Sequence, residues 1–109
     1  MTMADLEELR KAIADGRLSA SAESVRELLA EMRTAVPDAV GGGPEQLVRS
    51  NFHLVVAEAK FRTGQGVAFL DLLQTGYAGL QFAARKYEPT ENYSFAAYAG
   101  HWIETALNL

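Results

Sequence analysis

The chain has 109 residues and a formal net charge of −4, with about half of its residues apolar and 22% charged. That length suits one domain with a modest core and is short for two. There is no Cys, which excludes a disulfide framework and a thiolate metal site, and no apolar run approaches the roughly 20 residues of a membrane span. The acidic, amphipathic start MTMADLEELRKAIADG is unlike a signal peptide, which begins basic and continues into an apolar block. A cytoplasmic protein is therefore expected. Residues 1–43 carry eight acids and five bases, and residues 44–109 carry six and five. Neither half has the Lys/Arg stripe by which a protein clamps duplex DNA on its own through counterion release.

Leu6, Leu9 and Ile13 recur at steps of three and four, predicting a first helix from Met3 to Asp15 with Gly16 as its stop. Ser21 is placed to cap a second helix running to about Ala35, where Pro37 ends it. Val25, Leu28, Leu29 and Met32 form its apolar face, and Glu23 and Glu27 suit the positive end of its dipole. The two helices read as a partner-binding hairpin or as a packing pair; amphipathic stripes usually face a core, which favours packing. Val36–Gly43, VPDAVGGG, is the clearest break in the chain, a flexible linker or loop from which the hairpin would dock loosely. The expected division is a hairpin with its linker over residues 1–43 and a helical domain over residues 44–109.

Pro44 suits the first turn of a third helix, which runs to about Arg62 with Leu47, Val48, Phe52, Leu54, Val55 and Ala59 inward. His53 has no second ligand at helical spacing, so no metal site is expected there. Thr63–Gly66 is a turn. A fourth helix spans about Ala68–Tyr87, with Phe69, Leu70, Leu73, Leu80, Phe82 and Ala83 as its core side. Gly76 and Gly79 lie inside it, each costing up to about 1 kcal/mol relative to Ala, so another helix should approach closely there. That helix is one of this chain in the plainer reading and a partner's in the sharper one. Glu88–Tyr93 is a polar turn, and Ser94 is placed to cap a fifth helix, Phe95–Leu107. With no convincing strand, the fold class is all-α, a bundle of about five helices.

Catalysis finds little to work with. The chain has two His, no Cys and no converging pair of carboxylates, and Asp71 and Glu104 lie on different helices. Gly64-Gln65-Gly66 lacks the glycine spacing and the Lys-Ser/Thr of a phosphate loop. No catalytic residue, metal or cofactor is expected, and the chain is not read as an enzyme. Phe69–Leu109 instead holds seven of the nine Phe and Tyr residues and the single Trp. That is the profile of a binding surface.

From about Glu45 to Leu109, some 60% of the chain, the sequence resembles region 2 of the sigma-70 family, the promoter-recognition subunits of bacterial RNA polymerase. NFHLVVAEAK (Asn51–Lys60) resembles the helix that opens the family's core. FLDLLQTGYAGLQFAARKYEP (Phe69–Pro89) resembles the helix that docks on the polymerase, and YSFAAYAGHWIETAL (Tyr93–Leu107) the melting and −10 recognition helix. The combination of FLDL, Gln74, Gly76 and Gly79-Leu80 with F-x-x-YA-x-x-WI behind it carries the likeness.

The resemblance implies that the fourth helix binds a coiled coil, the clamp helices of the polymerase β′ subunit. Leu70, Asp71, Leu73, Gln74 and Gly76 match that motif, whereas Thr75 replaces a usual acid, Tyr77 a usual Asn and Gln81 a usual Met or similar residue. The implied docking set is Leu70, Asp71, Leu73, Gln74, Thr75, Tyr77 and Gln81. A purely structural role covers Leu73 and Gly76 well and the pair Asp71 and Gln74 less well. The resemblance further implies contact with promoter −10 DNA through Tyr87, Tyr93, Phe95, Tyr98, His101, Trp102 and Thr105, with a flipped adenine in an aromatic pocket. Trp102 matches the second of the family's paired tryptophans, and His101 stands where the first is expected.

Several departures weaken that DNA reading. Thr90-Glu91 replace a basic pair, Asn92 a Gly, Ser94 a common Lys, Ala96-Ala97 a common Ser-Thr, and Glu104 a usual Arg. Each lost cation removes a phosphate contact, and each added acid repels the backbone. Phe95, Tyr98 and Trp102 also fit a core stripe at steps of three and four, so the aromatic set alone does not single out DNA. The chain stops where duplex reading of the −10 element would continue, and no −35-reading helix-turn-helix follows. Autonomous promoter opening is disfavoured.

Three functions remain open at this point. The expected one is a sigma-like transcription regulator that binds core polymerase, either competing with a sigma factor or acting as half of a split sigma beside a second sigma-like subunit. The alternative is a mimic that binds an anti-sigma factor or other sigma-binding protein, with Thr75, Tyr77 and Gln81 fitted to it. The third is the truncated start of a longer sigma or a decayed product; the intact apolar periodicity argues against decay. The 1–43 hairpin resembles no named segment, and it either covers the region 2 surface or adds a partner site.

Overall fold

Among the described residues the apolar periodicity is realised as five helices: α1 (Met3–Ala14), α2 (Ala22–Arg33), α3 (Pro44–Phe61), α4 (Phe69–Lys86) and α5 (Phe95–Leu107). The computed structural model describes residues 3–15, 21–33, 44–88 and 93–109, and among these there is no strand. Gly16, Pro37, the glycine run Gly41–Gly43 and Thr90-Glu91-Asn92 lie outside the described residues, as does the side chain of Met32. The two expected Ser caps both form. The Ser21 hydroxyl accepts the Ser24 N–H at 3.1 Å, and the Ser94 hydroxyl accepts the Ala97 N–H at 3.2 Å, each satisfying a donor the helix itself leaves unpaired. The α3–α4 turn uses Gly64 and Gly66 at φ of 89° and 92°, a region that residues with a Cβ rarely enter.

Helix α4 is the centre of the bundle, packing on α3 and α5 and also on α1 and α2. This is why its burial spreads round the helix. Leu72, Ala78 and Ala84 are buried beyond the single stripe of Leu73, Leu80, Phe82 and Ala83, while Phe69 and Leu70 are only half-buried at the edge of the core. On α3, Leu47 and Leu54 likewise sit at the core's edge beside the buried Val48, Phe52, Val55 and Ala59. The hairpin does not dock loosely. Leu9, Ala12, Val25 and Leu28 are buried in the same continuous cluster as the cores of α3, α4 and α5. Lys86 at the end of α4 pairs with Glu8 of α1 at 2.6 Å, and that carboxylate, hydrogen-bonded to the ammonium, holds the Lys86 pKa above its ordinary value. A raised Lys pKa means the Lys86 contribution is present at neutral pH and is lost as pH rises through the raised value. Both groups are partly exposed, so the contribution is modest.

The two glycines of α4 are explained by close approach within the chain. A Cβ on Gly79 would stand 2.6 Å from the Trp102 carbonyl oxygen and 3.0 Å from the Ala106 Cβ and Ile103 Cα, and one on Gly76 would stand 2.8 Å from the Val55 Cγ1. At Gly100 in α5 an added Cβ would meet nothing within 4 Å. Opposite outcomes are expected for the same substitution. Gly79→Ala must push two backbones apart, and an overpacking cost of about 1–3 kcal/mol outweighs the roughly 1 kcal/mol gained in helix propensity. Gly100→Ala keeps that propensity gain and raises the melting temperature by about 4–8 °C. Thermal denaturation followed by circular dichroism checks both signs.

Candidate functional site

The polar side of α4 is built by default. Its N-cap, Ala68, has no side-chain capping bond, and Asp71 in the first turn faces the positive end of the helix dipole. Asp71 is exposed, and Gln74, Thr75 and Gln81 are half-buried. Asp71, Gln74 and Gln81 fall on one row at helical spacing, with Thr75 on one flank. Leu70 and Tyr77 lie on the other flank, where the Tyr77 ring meets Phe52 of α3 edge-on at 5.8 Å. Leu73, assigned to the same docking set, is fully buried instead. Its side chain points into the core and positions the helix, so any part it plays in docking is indirect.

The second surface is formed by Tyr87 after α4, Tyr93 before α5 and the outer face of α5. Tyr87 is its hub: its ring contacts Phe95 at 5.2 Å, Tyr98 at 5.7 Å and Tyr93 at 6.2 Å. Its hydroxyl donates to the Tyr93 carbonyl at 3.1 Å, fixing the entry to α5. Tyr93, 41% exposed, stacks on Tyr98 at 5.4 Å with 24° between the rings. An open groove continues from this pair along His101, Glu104, Thr105 and Asn108, above Trp102. The Thr105 hydroxyl donates to the His101 carbonyl at 2.7 Å.

Of the seven aromatic and polar residues assigned to DNA, the fold therefore gathers Tyr93, Tyr98, His101 and Thr105 on one accessible groove, with Tyr87 bracing it from behind. Phe95 and Trp102 are buried. Trp102 is packed against Phe82 at 4.6 Å and edge-on to Tyr98 at 6.3 Å, so the stripe reading of these two residues describes their placement. Sequence reasoning missed Asn108, which closes the far end of the groove. It accepts from the Arg62 guanidinium at 2.8 Å, a contact spanning 46 residues of chain. The signal available was the run Ala97, His101, Thr105, Asn108 at steps of four and three on the outer face of α5.

The electrostatics of the groove are one-sided. Among the described residues that line it there is no Lys or Arg, and Glu104 is one of them. Aromatic faces for stacking are present, and the cation at its end, Arg62, is held by Asn108 and Glu58. His53 lies exposed on α3 and does not line the groove.

Comparison with known proteins covers the α3–α5 part of the chain. Residues 47–107 match the sigma-70 region 2 family. The chain is 40% identical over 63 residues to the RNA polymerase sigma-C factor of Nostoc sp., covering 58% of this chain and 15% of that protein. It is 38% identical over 79 residues to the RNA polymerase sigma factor SigA of Lactococcus lactis subsp. cremoris, covering 72% of this chain and 22% of that one. The chain thus corresponds to less than a quarter of the length of these relatives. With the match running from the middle of the α3 start to the last residue of α5, the chain belongs to the sigma-70 region 2 family.

Proposed function

We propose that this chain is a sigma factor-like transcription regulator that binds core RNA polymerase through the β′ clamp helices, with weak or partner-dependent recognition of −10 promoter DNA. The observation that carries the reading is the polar row of α4. Asp71 and Gln74 present hydrogen-bonding groups on a helix whose other sides are anchored by Gly76 against α3 and Gly79 against α5. A rigid helix with an accessible polar seam suits recognition by another helical pair, because complementary contacts then need little reordering.

The DNA component follows from the α5 groove. Exposed Tyr93 stacked on Tyr98 offers a platform for an unpaired base, and base–aromatic stacking contributes about 1–3 kcal/mol per base. With Glu104 in the lining and Arg62 at its end held by Asn108 and Glu58, the phosphate term that dominates affinity is small. Promoter contact then depends on a partner: core polymerase itself, or a second sigma-like subunit that supplies −35 recognition. The protein acts in the cytoplasm, where transcription takes place.

Co-elution with core RNA polymerase on size exclusion tests this reading. The intact protein is expected to travel with the core enzyme and to be displaced by a full-length sigma factor. Failure to co-elute, with binding to an anti-sigma factor instead, would replace the proposal with the mimic reading.

A further inference from the structure

The α5 groove carries polar groups that base stacking leaves unused. Glu104 is exposed on its wall, and its carboxylate enters no hydrogen bond or ion pair among the described residues. Asn108, one turn further on, lines the same groove. Its side-chain oxygen is already taken, accepting from the Arg62 guanidinium at 2.8 Å. A guanidinium only donates, so that contact decides which way the amide faces and leaves the Asn108 NH2 to the groove. The Thr105 hydroxyl has given its proton to the His101 carbonyl at 2.7 Å. Residues four apart are neighbours on a helix, so Glu104 and Asn108 set an acceptor-only carboxylate beside an amide donor. Glu104 stands six residues after Tyr98, about 9 Å along the axis, with His101 between them. A strand laid along the groove with one base on the Tyr93–Tyr98 platform brings a neighbouring base to this wall.

Stacking hardly tells bases apart, since every base has an aromatic face; hydrogen bonds to the base edges do. Along its pairing edge guanine sets two N–H donors side by side, next to a carbonyl oxygen. Adenine and cytosine each set one amino group beside an acceptor nitrogen, and thymine has one N–H between two carbonyls. An ionised carboxylate offers two acceptor oxygens and no donor. Guanine gives both oxygens a donor, whereas each other base turns an acceptor toward the second one, which repels it. The guanine carbonyl beside those donors is met by the Asn108 NH2. Resting on the reading of the groove as a surface for unpaired bases, we infer that Glu104, with Asn108 oriented by Arg62, makes it selective for a guanine in single-stranded DNA. That is a different base from the adenine implied by the sequence resemblance. The charge of Glu104 that repels phosphates acts here on the neutral edge of a base.

The test is affinity of the intact protein, native and Glu104→Gln, for short single-stranded thymidine oligonucleotides carrying one central guanine, adenine or cytosine, by titration calorimetry. The guanine oligonucleotide is expected to bind about tenfold tighter than the others. Glu104→Gln is expected to lose that preference without weakening the plain thymidine strand, because a charge that repels phosphates has gone. Glu104 is exposed, so the variant keeps the fold, which an unchanged melting temperature checks. Deoxyguanosine monophosphate separates a strand-borne base from a free one. Lacking a stacked neighbour, it is expected to bind at least about fivefold more weakly than the guanine oligonucleotide, and equal affinity would overturn the assignment to a strand. Equal binding of all four oligonucleotides, or a guanine preference that survives Glu104→Gln, overturns the inference and leaves the stacking platform intact. No binding of any of them up to about 1 mM overturns the single-strand reading of the groove, and this inference falls with it.

Discussion

Trp102→Ala is expected to destabilise the protein by about 3–5 kcal/mol, the range for removing a fully packed large aromatic. The side chain is 1% exposed, its ring lies 4.6 Å from Phe82, and its backbone is pressed against Gly79. Small domains are stable by roughly 5–15 kcal/mol, so the variant loses a large share of its stability and melts well below the native chain in a thermal scan. Any loss of DNA binding in this variant then reports lost fold rather than a lost contact. Tyr93→Ala separates the two. Tyr93 is 41% exposed, so its removal is expected to leave the melting temperature within a few degrees while weakening single-stranded −10 DNA by about 1–3 kcal/mol. Equal thermal effects of the two substitutions would contradict the assignment of Trp102 to the core and Tyr93 to the groove.

The second large effect is expected on α4. Asp71→Ala combined with Gln74→Ala removes two polar groups of the row, one exposed and one half-buried. Hydrogen bonds involving a charged group contribute about 1.5–3 kcal/mol each, so the pair is expected to weaken binding to core polymerase by at least about 30-fold, or roughly 2 kcal/mol. The fold should hardly respond. Asp71 is exposed in the first turn of α4, and losing its interaction with the helix dipole costs only about 0.3–1 kcal/mol. An unchanged melting temperature beside a large loss of affinity is the signature of a contact. Comparable losses in both would mark the two residues as structural.

These predictions trace back unevenly to the sequence. Features decided by near neighbours were readable: Ser21 and Ser94 cap the helices they precede, and Gly64 and Gly66 make the turn where the polar cluster stands. Gly79 was readable one step further, because a glycine inside a helix has a cost that close packing explains. The family was legible from FLDLLQ, Gly76, Gly79-Leu80 and the aromatic spacing of α5.

Features set by distant residues were not readable. Phe95, Tyr98 and Trp102 have the same three-and-four spacing whether they line a base pocket or a core. Only the position of Phe82 on another helix decides that Trp102 is buried. The contact of Arg62 with Asn108 spans 46 residues and leaves no local pattern. The depth of hairpin docking was missed for a similar reason. The amphipathic stripes of α1 and α2 announce that they pack, and nothing in them says that Leu9 and Val25 join the same core as α3, α4 and α5. Charge was more informative. Glu104 already pointed to an acidic group on the outer face of α5, and it lines the groove.

The central claim is that α4 docks on the β′ clamp helices. It is tested most directly by titrating the intact protein with a purified clamp-helix fragment, beside the Asp71→Ala/Gln74→Ala variant. Saturable one-to-one binding with a dissociation constant of about 10 µM or tighter, or roughly −7 kcal/mol, and its loss in the double variant, is the predicted result. No saturable binding by the native chain up to about 100 µM, or equal binding by the native chain and the variant, would contradict it.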